Sequence, residues 1–143
     1  ALDPERDPGR LTLILRIGAA AVEAVLPGWL RALKAEGRQP LLVCDPMHGN
    51  TERGGPRKLR RMDFMLREAR AFFTIAEAEG FWPGGLHLEM TPEPVTECLG
   101  GRGPASPDDL TDWRSACDPR LNGAQAIDFA RDVAAHAARA VAA

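Results

Sequence analysis

Three residues able to bind a metal stand out by their settings: His48 in "LLVCDPMHGN", Glu89 in "LHLEM" and Asp118 in "ACDPRLN". One imidazole and two carboxylates form a mixed nitrogen and oxygen set. Such a set suits Mn²⁺, Fe²⁺, Co²⁺ or Zn²⁺ better than Mg²⁺ or Ca²⁺, which favour oxygen alone. Each residue also has a plainer reading. A histidine in a polar loop can simply be solvated, and Asp-Pro is a common turn former. Glu89 is harder to place without a partner, because a carboxylate among leucines is costly to bury unless paired, hydrogen-bonded or metal-bound. An ion pair with Arg16 would also satisfy it.

A second group is basic. The stretch "TERGGPRKLRR" carries Arg53, Arg57, Lys58, Arg60 and Arg61. A charge run of this kind is ordinarily a solvated loop, but several cationic donors beside a metal also suit a phosphorylated substrate. No aromatic residue interleaves with these charges, which argues against a single-stranded nucleic-acid surface.

The elements that must position these residues repeat three times: a short apolar strand, a polar loop, then a longer helical segment. The first strand is expected at 11–16. Leu11, Leu13 and Leu15 lie on one face and Thr12, Ile14 and Arg16 on the other, so both faces read as covered. Gly18 then leads into a helical stretch to Gly37, broken or kinked at Pro27. The second strand is expected at 40–44, followed by a loop from Asp45 to about Arg61. In the helix that follows, Met65, Ala69, Phe72, Phe73 and Ala76 form a buried stripe. The third strand is expected at 86–90, with His87 and Glu89 sharing a face. After an irregular stretch, Asn122 caps a closing helix.

Alternating strands and helices imply a parallel sheet with chemistry at the strands' C-terminal ends. Arg16, Asp45, His48 and Glu89 all fall there. A closed (β/α)8 barrel takes about 250 residues, so three units are part of a barrel or a small open sheet.

Composition narrows the function classes. The chain has 143 residues, 18 basic against 20 acidic, and a net charge of -2, which gives no general attraction to nucleic acid or anionic membranes. No apolar run approaches the ~20 residues of a membrane span, and "ALDPERDPGR" has no signal-peptide character, so a cytoplasmic protein is expected. Three cysteines, Cys44, Cys98 and Cys117, are too few and too scattered for a disulfide framework or a paired-cysteine zinc site. Cys44 and Cys117 each precede an Asp-Pro, and a reversible disulfide between them is a hypothesis that needs their Cα atoms within about 7 Å. The chain opens on Ala rather than Met, as a piece of something longer would.

"PGRLTLILRIG", "CDPMHGNT", "PGGLHLEMT", "VTECLGG" and "SACDPRLN" together resemble class II 3-deoxy-D-arabino-heptulosonate 7-phosphate (DAHP) synthases in order and spacing. The resemblance runs from about Pro8 to the last helix. It implies that residues 1–143 form the C-terminal part of a single barrel domain, the last three βα units of a (β/α)8 TIM barrel left incomplete in this chain. It also implies a transferase that joins phosphoenolpyruvate to erythrose 4-phosphate and releases phosphate, the first step of the shikimate route to aromatic amino acids.

By the same resemblance, His48, Glu89 and Asp118 are metal ligands, with Mn²⁺ the expected ion and Co²⁺, Fe²⁺ or Zn²⁺ as substitutes. The family's cysteine ligand belongs to an earlier part of the chain, absent here. Arg16 matches the arginine that holds phosphoenolpyruvate, and Lys58 and Arg60 match a basic pair assigned to the sugar phosphate. From their positions, Asp45 supports a ligand from behind or makes a helix or turn contact, and His87 supports Glu89 or is simply a hydrogen-bonded residue of the barrel interior. The metal would polarise the aldehyde for attack by C3 of phosphoenolpyruvate. The implied partner is the missing N-terminal part of the barrel or another chain, without which these residues should be inactive, and the full enzyme is expected to be a homo-oligomer. The competing reading is a non-catalytic truncated module that docks on a full-length synthase. Retention of Arg16, His48, Glu89 and Asp118 favours the enzyme.

Overall fold

The computed structural model describes residues 2–7, 9–54 and 57–141. A three-stranded parallel sheet is built from β1 (Thr12–Leu15), β2 (Leu41–Cys44) and β5 (Pro83–Leu86), in the order β1-β2-β5. Among the described residues three helices accompany it: α1 (Val22–Ala35), α2 (Met62–Ala78) and α3 (Gly123–Val141). The class is α/β with parallel strands, as the alternation of elements implies.

Apolar burial explains the layering. Val22, Leu26 and Leu30 of α1 meet Leu42 and Cys44 of β2 and Phe72 and Ala76 of α2, with Leu13 and Leu15 packed against them. A second cluster joins Met62, Met65 and Ala69 of α2 to Phe129 and Val133 of α3, together with Met47, Cys98 and Leu121. The expectation that both faces of β1 are covered is not met. Leu13 and Leu15 are half-buried, but Thr12 and Ile14 are exposed, Ile14 at 46%. All the apolar packing reaches the sheet from the leucine side, so the Thr12, Ile14 and Arg16 face is open among the described residues.

Other boundaries also differ from expectation. α1 runs unbroken through Pro27, which sits early in the helix and costs it only the amide that would bond the Glu23 carbonyl. The third strand is paired at Pro83–Leu86 rather than 86–90, with Val43 opposite Gly85 and Cys44 opposite Leu86. Proline fits the first residue of a strand, and Gly84 allows close packing: a Cβ there would lie 2.4 Å from Leu41 Cδ1. The ladder ends as the His87 amide donates to the Cys44 carbonyl. Residues 89–91 then leave β2 and pair with Leu121, whose amide donates to Glu89 O and whose carbonyl accepts from Thr91 N. Glu89 therefore lies just beyond a strand, not within one, and Met90 is exposed.

The expected loop from 45 to 61 is largely structured. A one-turn 3₁₀ segment, His48–Asn50, leads into an antiparallel hairpin of β3 (Thr51–Gly54) and β4 (Arg57–Arg61). β4 pairs in parallel with the short β6 (Cys98–Leu99), Arg60 opposite Cys98. Leu59, buried between charged neighbours, anchors this second small sheet. Asn122 caps α3 as expected: its side-chain oxygen accepts the Gln125 amide, and the Gln125 side chain accepts the Asn122 amide in return. No described helix is long and apolar enough to cross a membrane.

Candidate metal centre

The chemistry begins at the residue after β2. Asp45 is fully buried, accepts three hydrogen bonds and forms one ion pair. Its Oδ1 takes the backbone amides of Met47 and His48, both at 3.1 Å, which folds the turn that lifts His48 from the sheet. Its Oδ2 is hydrogen-bonded to His48 Nδ1 at 2.7 Å and forms an ion pair with Arg16 Nε at 2.9 Å. With Nδ1 donating to a carboxylate, neutral His48 carries its proton there and leaves the Nε2 lone pair open, the arrangement common to metal-binding histidines.

That nitrogen faces the other two candidates. One ligand atom from each of His48, Glu89 and Asp118 lies within 4.8 Å of the others, and all three residues are half-buried. His48 Nε2 is 3.6 Å from Glu89 Oε1. The other oxygen of Glu89 is held by Arg60 Nη1, which also donates to the Pro119 carbonyl at 2.7 Å. Asp118 Oδ1 accepts from Lys58 Nζ at 2.7 Å. The Lys58 ammonium holds the Asp118 carboxyl below the usual carboxylate range against the opposing effect of burial, and Asp118 raises Lys58 in turn. Glu89 thus has one oxygen on a cation and the other toward His48, while Asp118 has Oδ1 on Lys58 and Oδ2 accepting from the Cys117 thiol at 3.4 Å. The three donors fit a divalent ion in type and mutual approach, with room for a further ligand from outside this set.

Arg60 is placed differently from the expectation of a sugar-phosphate contact. It is fully buried, bonded through Nε to Thr51 Oγ1 at 2.8 Å and through Nη1 to Glu89 and Pro119. Its Nη2 has no hydrogen-bond partner among the described residues and lies 3.9 Å from Asp118 Oδ1. Arg60 reads here as the counter-ion of the two carboxylates. Lys58, its expected companion, is on the rim of a cavity of about 220 Å³ lined by Arg53, Arg57, Trp113, Ser115 and Cys117. The Arg57 guanidinium lies 5.9 Å from the Trp113 ring centre.

The remaining expectations sort by geometry. Arg16 lies at the end of β1 and pairs with Asp45, not with Glu89; Glu89's cation is Arg60. His87 is exposed, its ring centre 6.5 Å from that of His48, and the structure joins it to no ligand. All three cysteines are free: Cys44 and Cys98 are buried, Cys117 is exposed with Sγ 3.4 Å from Asp118 Oδ2. Burial pushes the Cys98 thiol up to about 12 and raises Cys44 further. Neither is a thiolate at neutral pH.

Two supporting carboxylates escape sequence reasoning. Glu68 on α2 is buried and accepts the amides of Ile17 and Gly18 at 3.2 and 2.8 Å and Asn50 Nδ2 at 2.6 Å. Asn50 also accepts the Ala19 amide at 2.8 Å. This brace ties the turn after β1 to the turn after β2, so Arg16 and His48 are held together. Burial raises the Glu68 carboxyl despite those donors. The turns touch at two glycines: a Cβ on Gly49 would lie 2.5 Å from Gly18 N. The signal was present in the helix, since a glutamate at position 68 falls between Met65, Ala69 and Phe72 on the apolar stripe. The second carboxylate, Glu97, folds the loop that carries Asp118.

The family model described as the class-II DAHP synthetase family matches residues 1–134 of this chain. A phospho-2-dehydro-3-deoxyheptonate aldolase of Streptomyces coelicolor is 46% identical over 131 residues, covering 90% of this chain and 29% of that protein. The phospho-2-dehydro-3-deoxyheptonate aldolase AroG of Mycolicibacterium smegmatis is likewise 46% identical over 131 residues, covering 90% and 28%. A Streptomyces lividans sequence with the aldolase name is 46% identical over 134 residues, covering 90% of this chain and 89% of its own length. The chain thus spans less than a third of the first two relatives and most of the third.

Proposed function

The chain belongs to the class-II DAHP synthetase family, and on that premise we propose that it forms the metal-binding part of a synthase that condenses phosphoenolpyruvate with erythrose 4-phosphate. The observation that carries the reading is the convergence of His48, Glu89 and Asp118, with the Nε2 lone pair of His48 freed by Asp45. The parallel sheet, with its exposed Thr12, Ile14 and Arg16 face, is the last part of a (β/α)8 barrel whose interior that face would line. The setting is a cytoplasmic enzyme of aromatic biosynthesis.

A divalent ion, Mn²⁺ in this reading, supplies Lewis acidity toward the sugar aldehyde when bound at these three residues. The chain's own groups do the rest. Arg16, half-exposed and fixed through Nε by Asp45, turns its remaining donors toward the carboxylate and phosphate of phosphoenolpyruvate and offsets their charge. Asp45 keeps the proton of His48 on Nδ1. Arg60 holds Glu89 in place and keeps two carboxylates from repelling one another. Lys58, on the rim of the cavity with Arg53 and Arg57, binds the phosphate of the sugar. In this reading the chain requires the rest of the barrel for turnover. Phosphate release is assayed with both substrates and Mn²⁺, first on the chain alone and then on the complete protein. Activity only in the complete protein, lost in His48→Ala, supports the reading; turnover by the chain alone, or undiminished turnover in His48→Ala, contradicts it.

A further inference from the structure

The motif "VTECLGG" contains a buried carboxylate with no part in the scheme above. Glu97 is fully buried beside β6 and accepts five hydrogen bonds. Its Oε1 takes the amides of Arg114 and Ser115 at 3.0 and 2.8 Å and Nη2 of Arg120 at 2.8 Å. Its Oε2 takes the Arg120 amide at 2.8 Å and Arg120 Nε at 3.0 Å. Both ends of the segment 114–120 are therefore tied to one side chain, and Asp118 and Pro119 lie between the ties. The segment has no helix or strand of its own, so these bonds set its path in place of a ladder.

The same small sheet governs both carboxylates of the metal centre. β4 and β6 pair with Arg60 opposite Cys98, which puts Glu97 one residue before the strand that neighbours Arg60. Arg60 reaches Glu89 and the Pro119 carbonyl, while Glu97 reaches the chain on either side of Asp118. We propose that Glu97 is a positioning residue, with Arg120 as its two-pronged partner, that holds Asp118 at the distance from His48 and Glu89 that a divalent ion needs. The proposal rests on the metal reading given above. A carboxylate has the acceptors for this role; glutamine at 97 would keep one and turn an amide donor toward the Arg120 guanidinium and a backbone amide.

The test is titration of Mn²⁺ into the complete protein, followed by the electron paramagnetic resonance of the free ion, for wild type, Glu97→Gln, Arg120→Ala, their double variant and His48→Ala. The KM for phosphoenolpyruvate, which in the proposed function depends on Arg16 just after β1, is measured alongside. The expected result is Mn²⁺ binding at least tenfold weaker in each single variant, no further loss in the double, and a KM for phosphoenolpyruvate within twofold of wild type at saturating Mn²⁺. Arg120→Ala keeps the backbone ties and carries the test if Glu97→Gln fails to fold. A folded variant that loses thermal stability but binds Mn²⁺ within twofold of wild type overturns the proposal while leaving the metal reading intact. Wild type that takes up no Mn²⁺, or His48→Ala that binds it equally well, overturns both.

Discussion

Replacing Asp45 by asparagine separates two tasks that one carboxylate performs. Oδ1 holds the turn by accepting the Met47 and His48 amides, and Oδ2 orients His48 and Arg16. Asparagine can keep the first oxygen, so the turn survives. Its amide group, however, would point a donor at His48 Nδ1 and at Arg16 Nε. His48 escapes the clash by moving its proton to Nε2, the nitrogen that faces Glu89, and Arg16, already half-exposed, turns to water. Losing a support of this kind weakens metal binding by roughly 10–100-fold, about 1.4–2.8 kcal/mol. Stability should fall by only about 1 kcal/mol, since the backbone donors stay paired. Asp45→Ala strips both amides as well, at roughly 1–3 kcal/mol for each buried donor left unpaired, partly offset by relief of the carboxylate's own desolvation. The net expectation for alanine is about 2–3 kcal/mol of stability and a similar metal defect. Urea denaturation and Mn²⁺ titration of the intact protein read the two quantities. Asp45→Asn that binds Mn²⁺ within twofold of wild type would refute the role of the Asp45–His48 bond.

Three further outcomes follow from the supports around the centre. Glu68→Ala leaves the Ile17 and Gly18 amides and the Asn50 side chain without their acceptor, and should cost about 2–4 kcal/mol in urea denaturation. Gly49→Ala places a methyl against the backbone of Gly18 and should destabilise by more than about 1 kcal/mol, with a raised KM for phosphoenolpyruvate as Arg16 and His48 move apart. Burial alone would raise the Glu97 carboxyl, but the Arg120 guanidinium and three amides hold it below the usual range. Its contribution is therefore complete above the unfolded carboxyl value of about 4.3 and is lost as pH falls through the folded value. The drop in urea stability from pH 7 to about pH 3 should be smaller in Glu97→Gln than in wild type; an equal drop would contradict that assignment.

Much of this site was legible because its residues break local patterns. A histidine after Asp-Pro at a strand end, and a glutamate among leucines, are costly choices that ask for a reason. The fold class followed from alternating periods, but strand ends did not: Pro83 and the glycines after it read as a turn, yet the ladder to β2 used them and stopped at His87. The hairpin of β3 and β4 was hidden because its one buried apolar residue, Leu59, sits among four basic ones. Partners were the least legible feature. Glu89 reads as a match for Arg16, but the register of β4 brings Arg60 to it instead, and Arg16 goes to Asp45. Glu68 and Glu97 look like ordinary glutamates until tertiary contacts enclose them.

The most direct test of the metal centre is anomalous diffraction at the manganese edge from crystals of the complete protein grown with Mn²⁺. The account predicts one strong peak within bonding reach of His48 Nε2 and one oxygen each of Glu89 and Asp118, with Asp45 still on His48 Nδ1. A peak elsewhere, or one that leaves any of these three residues outside the coordination sphere, would contradict it.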